Sequence, residues 1–282
     1  MNQKIALLTD STCDIPKEIL KEKNIQSLPL KIIYKDEEYT DRVDIQPEEI
    51  YNSFSEEIPT TSMPSPNDAQ KILLNLKEKG FTHVIAIHIS SGLSGTYNMV
   101  RMIAQQVEDI TVEVIDSKAL SMGLGRLVLY AAELIEKGLN FTDIIEKINK
   151  KMENTDVFFV VKTLKYLIEG GRIGKVSGTI GELLNLKPII SIDEEGQYYT
   201  LKKSRGRKKS INTIYNIVKD KIKEGITTVD VMHGAAYEEA QDLLKEIKKL
   251  DNVKETFFGQ IGPSMVVHTG PGLIGIVVSK VD

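Results

Sequence analysis

Short apolar runs rich in β-branched residues alternate along this chain with longer amphipathic runs, and this alternation limits the folds that the chain can form. The short runs are predicted as strands at residues 5–8, 28–34, 84–89, 112–115, 157–161, 188–192, 228–232 and 275–279. The amphipathic segments between them are predicted as helices. Strands that alternate with helices build a mostly parallel sheet with helices packed on its faces. We therefore predict an α/β fold.

A chain of 282 residues corresponds to about two domains of roughly 150 residues each. Glycines at residues 170, 171 and 174 interrupt the strand–helix pattern, which indicates that a first series of elements ends nearby. We place the boundary at residue 160. Residues 1–160 are predicted to form a Rossmann-like domain with a mostly parallel sheet, and residues 161–282 a second α/β domain. A ligand is predicted in the cleft between the two domains.

Charge and hydropathy exclude several classes of function. The 36 Lys and Arg residues stand against 40 Asp and Glu residues, a net charge of −4. This balance argues against nucleic acid as a partner, because binding by counterion release needs an excess of positive charge. The apolar stretches are shorter than a membrane-spanning helix or a signal-peptide core requires. We predict a cytoplasmic protein and leave transient contact with a membrane open.

The residues that would bind a metal or a cofactor are sparse. The single cysteine, Cys13, excludes an intramolecular disulfide and a cysteine-based zinc cluster, and we expect it to be a buried thiol rather than a nucleophile. The four histidines form no pair with the spacing of metal ligands. The sequence contains neither a P-loop nor a G-x-G-x-x-G fingerprint after the first strand. We predict no metal and no cofactor.

Hydroxyl side chains cluster in the loops that follow the predicted strands of the first half, at residues 9–12, 60–65, 90–96 and 116–117. Loops that follow parallel strands share one edge of the sheet, so these side chains are expected to lie close together. Hydroxyls and the free amides of helix N-termini bind anions. The pattern predicts a site for a small anion such as a carboxylate or phosphate. Simple helix capping by the same side chains is the alternative.

Ser94 lies at a predicted strand-to-helix turn, the position of the nucleophile in many serine hydrolases. Gly92 and Ser94 match the start of the pattern G-x-S-x-G, but Thr96 replaces the final glycine. His233 and His268 follow downstream as candidate bases. A serine hydrolase or esterase that acts through Ser94 is therefore kept as the alternative function.

Two further features carry charge or a titratable ring. Glycines flank both Arg172 and His268, which favours a specifically shaped backbone at each. Each residue is a candidate contact for a bound anion. The alternative for Arg172 is a plain surface charge, and the alternative for His268 is a histidine that stabilises a buried turn.

Residues 202–209 hold six positive side chains, which suit a solvated loop or a docking surface for an acidic protein. The segment lacks the interleaved aromatics of a nucleic-acid site.

Five motifs, in order along the chain, resemble the DegV family: TDST with Asp14, TSMPS at 61–65, SSGLSGTY at 90–97, EGGRI at 169–173 and HTGPG at 268–272. The resemblance spans essentially the whole chain. It implies two α/β domains that enclose one long-chain fatty acid, with the carboxylate held by hydroxyls and the tail in an apolar tunnel. It also implies a non-enzymatic role, in which a fatty acid kinase catalytic subunit phosphorylates the bound carboxylate. The resulting acyl phosphate feeds phospholipid synthesis.

The resemblance also assigns residues. It makes the Thr61 and Ser94 hydroxyls and the Gly95 amide the donors to the carboxylate. Ser62, Arg172 and His268 would support that head-group network. Met63 departs from the family pattern, which often has glutamine there, so a polar contact is expected to be missing.

Two assignments concern the rest of the ligand and the partner. Apolar side chains are candidates to line the tunnel, with a plain core role as the alternative: Met99, Met102, Leu183, Leu184 and Leu186. The resemblance makes the basic run, represented by Lys203, Arg205 and Arg207, a docking surface for the kinase subunit.

Overall fold

The computed structural model of the protein describes residues 3–179 and 186–281. The strands of these residues are β1 (Ile5–Asp10), β2 (Ile25–Leu28), β3 (Lys31–Ile33), β4 (Glu38–Thr40), β5 (Thr60–Ser62), β6 (His83–His88), β7 (Thr111–Asp116), β8 (Thr155–Val160), β9 (Ile189–Ile192), β10 (Tyr198–Lys202), β11 (Thr227–Gly234), β12 (Val253–Gln260) and β13 (Leu273–Lys280). The helices are α1 (Lys17–Glu22), α2 (Pro47–Ser53), α3 (Pro66–Glu78), α4 (Thr96–Ala104), α5 (Met122–Glu136), α6 (Phe141–Met152), α7 (Lys165–Glu169), α8 (Arg207–Lys221), α9 (Tyr237–Ile247) and α10 (Pro263–Thr269). None of these helices is long and apolar enough to cross a membrane.

The predicted α/β fold is confirmed. A four-stranded sheet in the order β2-β1-β6-β7 is parallel throughout, as the strand–helix alternation of the first half predicts. A six-stranded sheet has the order β10-β9-β8-β13-β11-β12. In this second sheet only β11 and β12 are parallel neighbours, and the other pairs are antiparallel.

The strand predicted at residues 28–34 is wrong as a single element. It is two strands, β2 in the parallel sheet and β3 in a separate three-stranded sheet of order β4-β3-β5, which we call the small sheet. Pro29 lies at the break, and proline cannot donate a hydrogen bond to a sheet ladder. The split matters because the small sheet carries β5, and β5 carries Thr61.

The strand β8 bears on the domain division. The predicted boundary at residue 160 assigns β8 to the first domain, whereas β8 pairs with β13 and β9 in the six-stranded sheet. The change from one large sheet to the other therefore falls between β7 and β8, across helices α5 and α6. The division into residues 1–160 and 161–282 otherwise stays a prediction.

Helix α5 packs between the two large sheets. Leu124, Leu127 and Val128 of α5 are fully buried in one hydrophobic cluster that includes side chains from β1, β6, β8 and β13. A glycine lets the helix approach closely, because a Cβ on Gly123 would lie 2.5 Å from Val157 of β8. The two sheets consequently share a continuous apolar core.

Candidate ligand-binding site

The centre of the candidate site is a contact between the small sheet and α10. The side chain of Thr61, in the middle of β5, meets His268 of α10, with 2.7 Å between Oγ1 and Nε2. The sequence predicted a specifically shaped backbone around His268, and residues 263–269 form a short helix in which every residue is buried. These two residues stand 207 positions apart in the chain.

Burial controls the protonation of His268. The residue is only 9% exposed, and this burial, together with the nearby positive charge of Arg172, lowers the pKa of His268 to about 3. The ring is therefore neutral at ordinary pH. Its Nδ1 atom is buried and has no hydrogen-bond partner among residues 3–179 and 186–281.

The hydrogen-bond partners of the two ring nitrogens decide which neutral tautomer His268 adopts. A proton on Nδ1 would leave a buried N–H donor unpaired, which costs roughly 1–3 kcal/mol. A proton on Nε2 instead donates to the Thr61 oxygen, and Nδ1 is left with only an unused lone pair. The second tautomer is favoured. The Thr61 hydroxyl then accepts from His268 and keeps its own proton for an acceptor in the cavity.

Ser94 reaches the same cavity from the parallel sheet. It lies in the loop between β6 and α4, where its hydroxyl is 2.9 Å from the Thr96 hydroxyl and accepts from the Thr96 amide. Gly95 directly precedes α4, whose first amides have no partner within the helix. A Cβ on Gly95 would lie 3.1 Å from the Met63 sulfur, so Met63 lies over this turn.

Arg172 closes the cavity from the segment that follows α7. Its Nη1 donates to the Gly170 carbonyl at 2.7 Å, and its Nε donates to the Leu93 carbonyl at 3.2 Å. The guanidinium thus spans from its own segment to the Ser94 loop. It adds the positive charge that a bound anion requires.

The structure brings five of the six predicted ligand-binding residues to one cavity of about 40 Å³: Thr61, Ser62, Ser94, Arg172 and His268. Gly95 adjoins Ser94 but does not line the cavity. Thr12, Tyr198, Ser264 and Met265 also line it; Thr12 belongs to the predicted hydroxyl cluster at residues 9–12, whereas the sequence did not single out the other three for the site. We call this space the polar cavity. A buried water needs at least about 10–15 Å³ by this measure, so the polar cavity has room for a few waters or a small anionic group.

A second cavity of about 30 Å³ adjoins the first, and Tyr198 and Met265 line both. Its other lining residues come mainly from the six-stranded sheet, with others from α10 and from the segments that precede α5 and α10: Leu120, Ser121, Val157, Phe159, Met232, Ile261, Thr269, Leu273, Gly275, Ile276 and Val277. Its surface is almost entirely apolar. We call it the apolar cavity. Tyr198 and Met265 therefore form the partition between a polar and an apolar space.

The residues proposed for the tunnel lie elsewhere. Met99 is buried in the core between α4 and the parallel sheet, and Met102 is 62% exposed. Leu186 forms a bridge with Arg205 and lines neither cavity. Leu183 and Leu184 lie outside the described residues.

The two candidate nucleophiles lack activation. Among the described residues, no histidine hydrogen-bonds to Ser94, and His268, which lines the same cavity, contacts Thr61 instead. Burial raises the pKa of the Cys13 thiol to about 12, so it stays protonated. The described residues also contain no group of three side chains that could hold a metal ion. The geometry therefore gives no support to the serine hydrolase alternative.

The basic run lies between β10 and α8. Lys203 and Arg205 are exposed, while Arg207 is partly buried and forms an ion pair with Glu239 of α9 at 3.0 Å. Arg207 therefore contributes to the packing of α8 on α9. The exposed lysines and Arg205 give this surface its positive charge.

The fold and the site define a class: an α/β protein with two large sheets and one small sheet, in which a hydroxyl-lined polar cavity adjoins an apolar one. A family model described as "Uncharacterised protein, DegV family" matches residues 4–281. The chain belongs to the DegV family.

Relatives and solved structures support this assignment. A DegV domain-containing protein of Clostridium acetobutylicum is 46% identical over 278 residues, which cover 99% of each chain. A DegV family protein from Thermus thermophilus, described by its fatty acid binding, superposes with a TM-score of 0.94 at 31% identity and covers 99% of this chain and 100% of its own. A stearic acid-binding protein from Eubacterium ventriosum has a TM-score of 0.87 at 29% identity, with 99% and 98% covered.

Proposed function

We propose that this protein binds a long-chain fatty acid and presents its carboxylate to a separate fatty acid kinase subunit. The observation that carries the proposal is the adjacency of the two cavities. The polar cavity offers the hydroxyls of Thr61 and Ser94 and the charge of Arg172, and the apolar cavity begins directly behind Tyr198 and Met265. Solved relatives are described as fatty-acid-binding proteins. The protein itself would perform no chemistry.

The energetics favour a lipid over a small anion. Burying an acyl chain of about sixteen carbons contributes roughly 12 kcal/mol before entropy costs, at about 0.8 kcal/mol for each CH₂. Cavities of about 40 and 30 Å³ are far too small for such a chain. Tyr198 and Met265 must therefore shift to join the two cavities when the lipid enters. Methionine suits this role because its unbranched side chain adapts to irregular shapes.

The binding step is tested first. Lipid extraction and native mass spectrometry of the purified protein are expected to find a bound fatty acid, or lipid-free protein is expected to take one up. A protein that carries none and takes up none would refute the proposal. In that event a fluorophosphonate probe would show whether Ser94 instead reacts as a hydrolase nucleophile.

Loss of either hydroxyl is expected to weaken binding of the carboxylate. A hydrogen bond to a charged group contributes roughly 1.5–3 kcal/mol, so Thr61→Val and Ser94→Ala should each lower the affinity for palmitate by about 10- to 100-fold. Isothermal titration calorimetry measures the change. Thr60→Val is the matched control, because Thr60 lies next to Thr61 on β5 and does not line the polar cavity. Unchanged affinity in both cavity variants would contradict the head-group assignment.

We infer that the kinase subunit docks on the surface formed by the basic run. The acyl phosphate formed on the presented carboxylate would enter phospholipid synthesis, and we place this reaction in the cytoplasm. The exposed cations near Lys203 and Arg205 suit an acidic partner, because opposite charges steer association.

Charge reversal at this surface is expected to separate binding from turnover. The double variant Lys203→Glu/Arg205→Glu should lower acyl-phosphate formation by the kinase at least about tenfold at physiological salt, with palmitate affinity unchanged. Arg207 is left intact because it pairs with Glu239. The control is Lys137→Glu/Lys147→Glu, two exposed lysines of the α5–α6 region. Equal rates for the two double variants would place the kinase elsewhere.

A further inference from the structure

Two buried carboxylates, Asp14 and Asp41, lie outside the polar cavity, and the proposed function assigns them no role. Their residues are 3% and 1% exposed. Such charges are costly to bury unless paired and hydrogen-bonded. Arg42 pairs with Asp14, and its side chain is 30% exposed. We call the three residues Asp14, Asp41 and Arg42 the clasp.

The clasp holds the start of α10. Asp14 accepts a hydrogen bond from the Gly262 amide at 3.0 Å, and Asp41 accepts one from the Ser264 amide at 3.2 Å. These are amides that the first turn of a helix leaves without an internal partner. Arg42 lies directly against the same backbone, because a Cβ on Gly262 would be 2.4 Å from its Nε.

The clasp also holds segments that line the two cavities. Asp41 accepts from the Ser11 hydroxyl, which in turn accepts from the Leu30 amide at 3.0 Å. Asp14 accepts from the Ser121 hydroxyl at the start of α5. Leu30 lines the polar cavity and Ser121 lines the apolar one.

The small sheet and the residue that directly follows β4 therefore hydrogen-bond to α10 at two points. Asp41, directly after β4, holds residue 264, and Thr61 of β5 contacts residue 268. Positions four apart lie on one face of a helix, one turn from each other. A shift of the first contact must consequently move the second.

We propose that Asp14 and Asp41 are positioning residues for the head-group site. By fixing the N-terminus of α10 against the small sheet, they set the hydrogen bond between His268 and Thr61 and hence the direction in which the Thr61 hydroxyl donates. This inference rests on the proposed function, because the quantity that it controls is the preference of the site for a carboxylate.

The test compares two lipids with the same tail. Palmitate and hexadecanol differ in the carboxylate, so the ratio of their affinities isolates the head-group site from the tail. Asp41→Ala is expected to lower palmitate affinity about tenfold and to change hexadecanol affinity less than about twofold. Asp41→Asn keeps an acceptor oxygen for the Ser264 amide and should recover most of the palmitate affinity. A merely structural role would weaken both lipids together.

A matched control is a second buried acid–arginine pair. Asp230 is fully buried against Arg126 and holds no part of α10. Asp230→Ala should lower the melting temperature but leave the palmitate-to-hexadecanol ratio at the wild-type value. If Asp41→Ala does not fold, Arg42→Ala replaces it, because Arg42 is the most exposed member of the clasp. Its expected result is a several-fold fall in the same ratio.

The outcomes separate the two proposals. A wild-type protein that binds neither lipid overturns the proposed function. A wild-type protein that prefers palmitate, with the same preference in Asp41→Ala or, failing that, in Arg42→Ala, overturns the positioning role alone. A selective loss of palmitate affinity that Asp41→Asn recovers supports the role.

Discussion

Replacing Gly170 with alanine is expected to disable the head-group site. Gly170 ends α7 beside His268, and an added Cβ would lie 2.2 Å from Nδ1 of that ring and 2.9 Å from the Tyr166 carbonyl. Distances this short are sterically forbidden, so one partner must move. His268 is buried and lines the polar cavity, which is the free space into which its ring can move. The ring is expected to turn away from Thr61.

The effect should be visible in both binding and stability. Overpacking of a filled interior costs about 1–3 kcal/mol. Loss of the His268–Thr61 contact should weaken palmitate binding by more than about tenfold, by the same reasoning as for the loss of the Thr61 hydroxyl. Calorimetry and thermal unfolding measure the two effects.

Gly178→Ala is the control for the Gly170 substitution. A Cβ on Gly178 meets no atom of the described residues within 4 Å, and its φ is not in the left-handed region, so neither affinity nor melting temperature should change by much. If Gly170→Ala binds palmitate like the wild type, the ring of His268 does not matter for binding in the way that we propose.

The fold was largely predictable because its signal is local. The strands β1 and β6 contain short apolar runs, and buried parallel strands require such runs. Alternation with amphipathic helices then specifies the parallel sheet. β12, by contrast, is an edge strand with Lys254, Glu255 and Gln260 among its residues, and a polar edge strand lacks the apolar pattern. The prediction therefore missed it.

Helix α10 is a second element that the sequence pattern could not predict. A helix is recognised by an apolar stripe that recurs with the helical period. Residues 263–269 are buried on every side, so the segment has no polar face and no such stripe. The glycine and proline at its start indicated only a specifically shaped backbone. The structure assigns those two residues to the helix start.

The residue types of the head-group site were visible in the sequence, but their pairing was not. Thr61 and His268 lie in segments that resemble DegV motifs, and the resemblance named both as site residues. Nothing local indicates that they meet across 207 residues, or that Tyr198 and Met265 divide two cavities. Asp14 and Asp41 carry an even weaker signal, since an aspartate in a loop is usually solvated. Only tertiary packing shows that both are buried.

The stability of the lipid-free protein is expected to fall steeply in mild acid because of His268. In the unfolded chain this histidine titrates at its ordinary pKa of 6.5, whereas in the fold its pKa is about 3. Below pH 6.5 His268 is therefore protonated in the unfolded state but stays neutral in the folded state, so acid favours unfolding. Between pH 7.5 and pH 5 the expected loss is about 2 kcal/mol, and it continues to grow until about pH 3.

His268→Gln removes this contribution and keeps a neutral side chain that can donate to Thr61. Urea unfolding at pH 7.5 and pH 5 measures the free energies of both proteins. The wild type should lose about 2 kcal/mol more than the variant across that interval, after the carboxylates and His233, which both proteins share, cancel in the difference. Thr61→Val is the control: burial, not Thr61, is the main cause of the lowered pKa, so this variant should lose stability as the wild type does.

Equal losses of unfolding free energy in the wild type and His268→Gln would mean that the ring of His268 is accessible to protons in the folded protein.

The neutral charge of His268 has a consequence for ligand binding. A histidine that stays neutral above pH 5 attracts no anion by charge, so the carboxylate must be held by the Thr61 and Ser94 hydroxyls and by Arg172, the cation that lines the cavity. Palmitate affinity should then show no rise between pH 8 and pH 6, the interval in which an ordinary histidine would gain its charge.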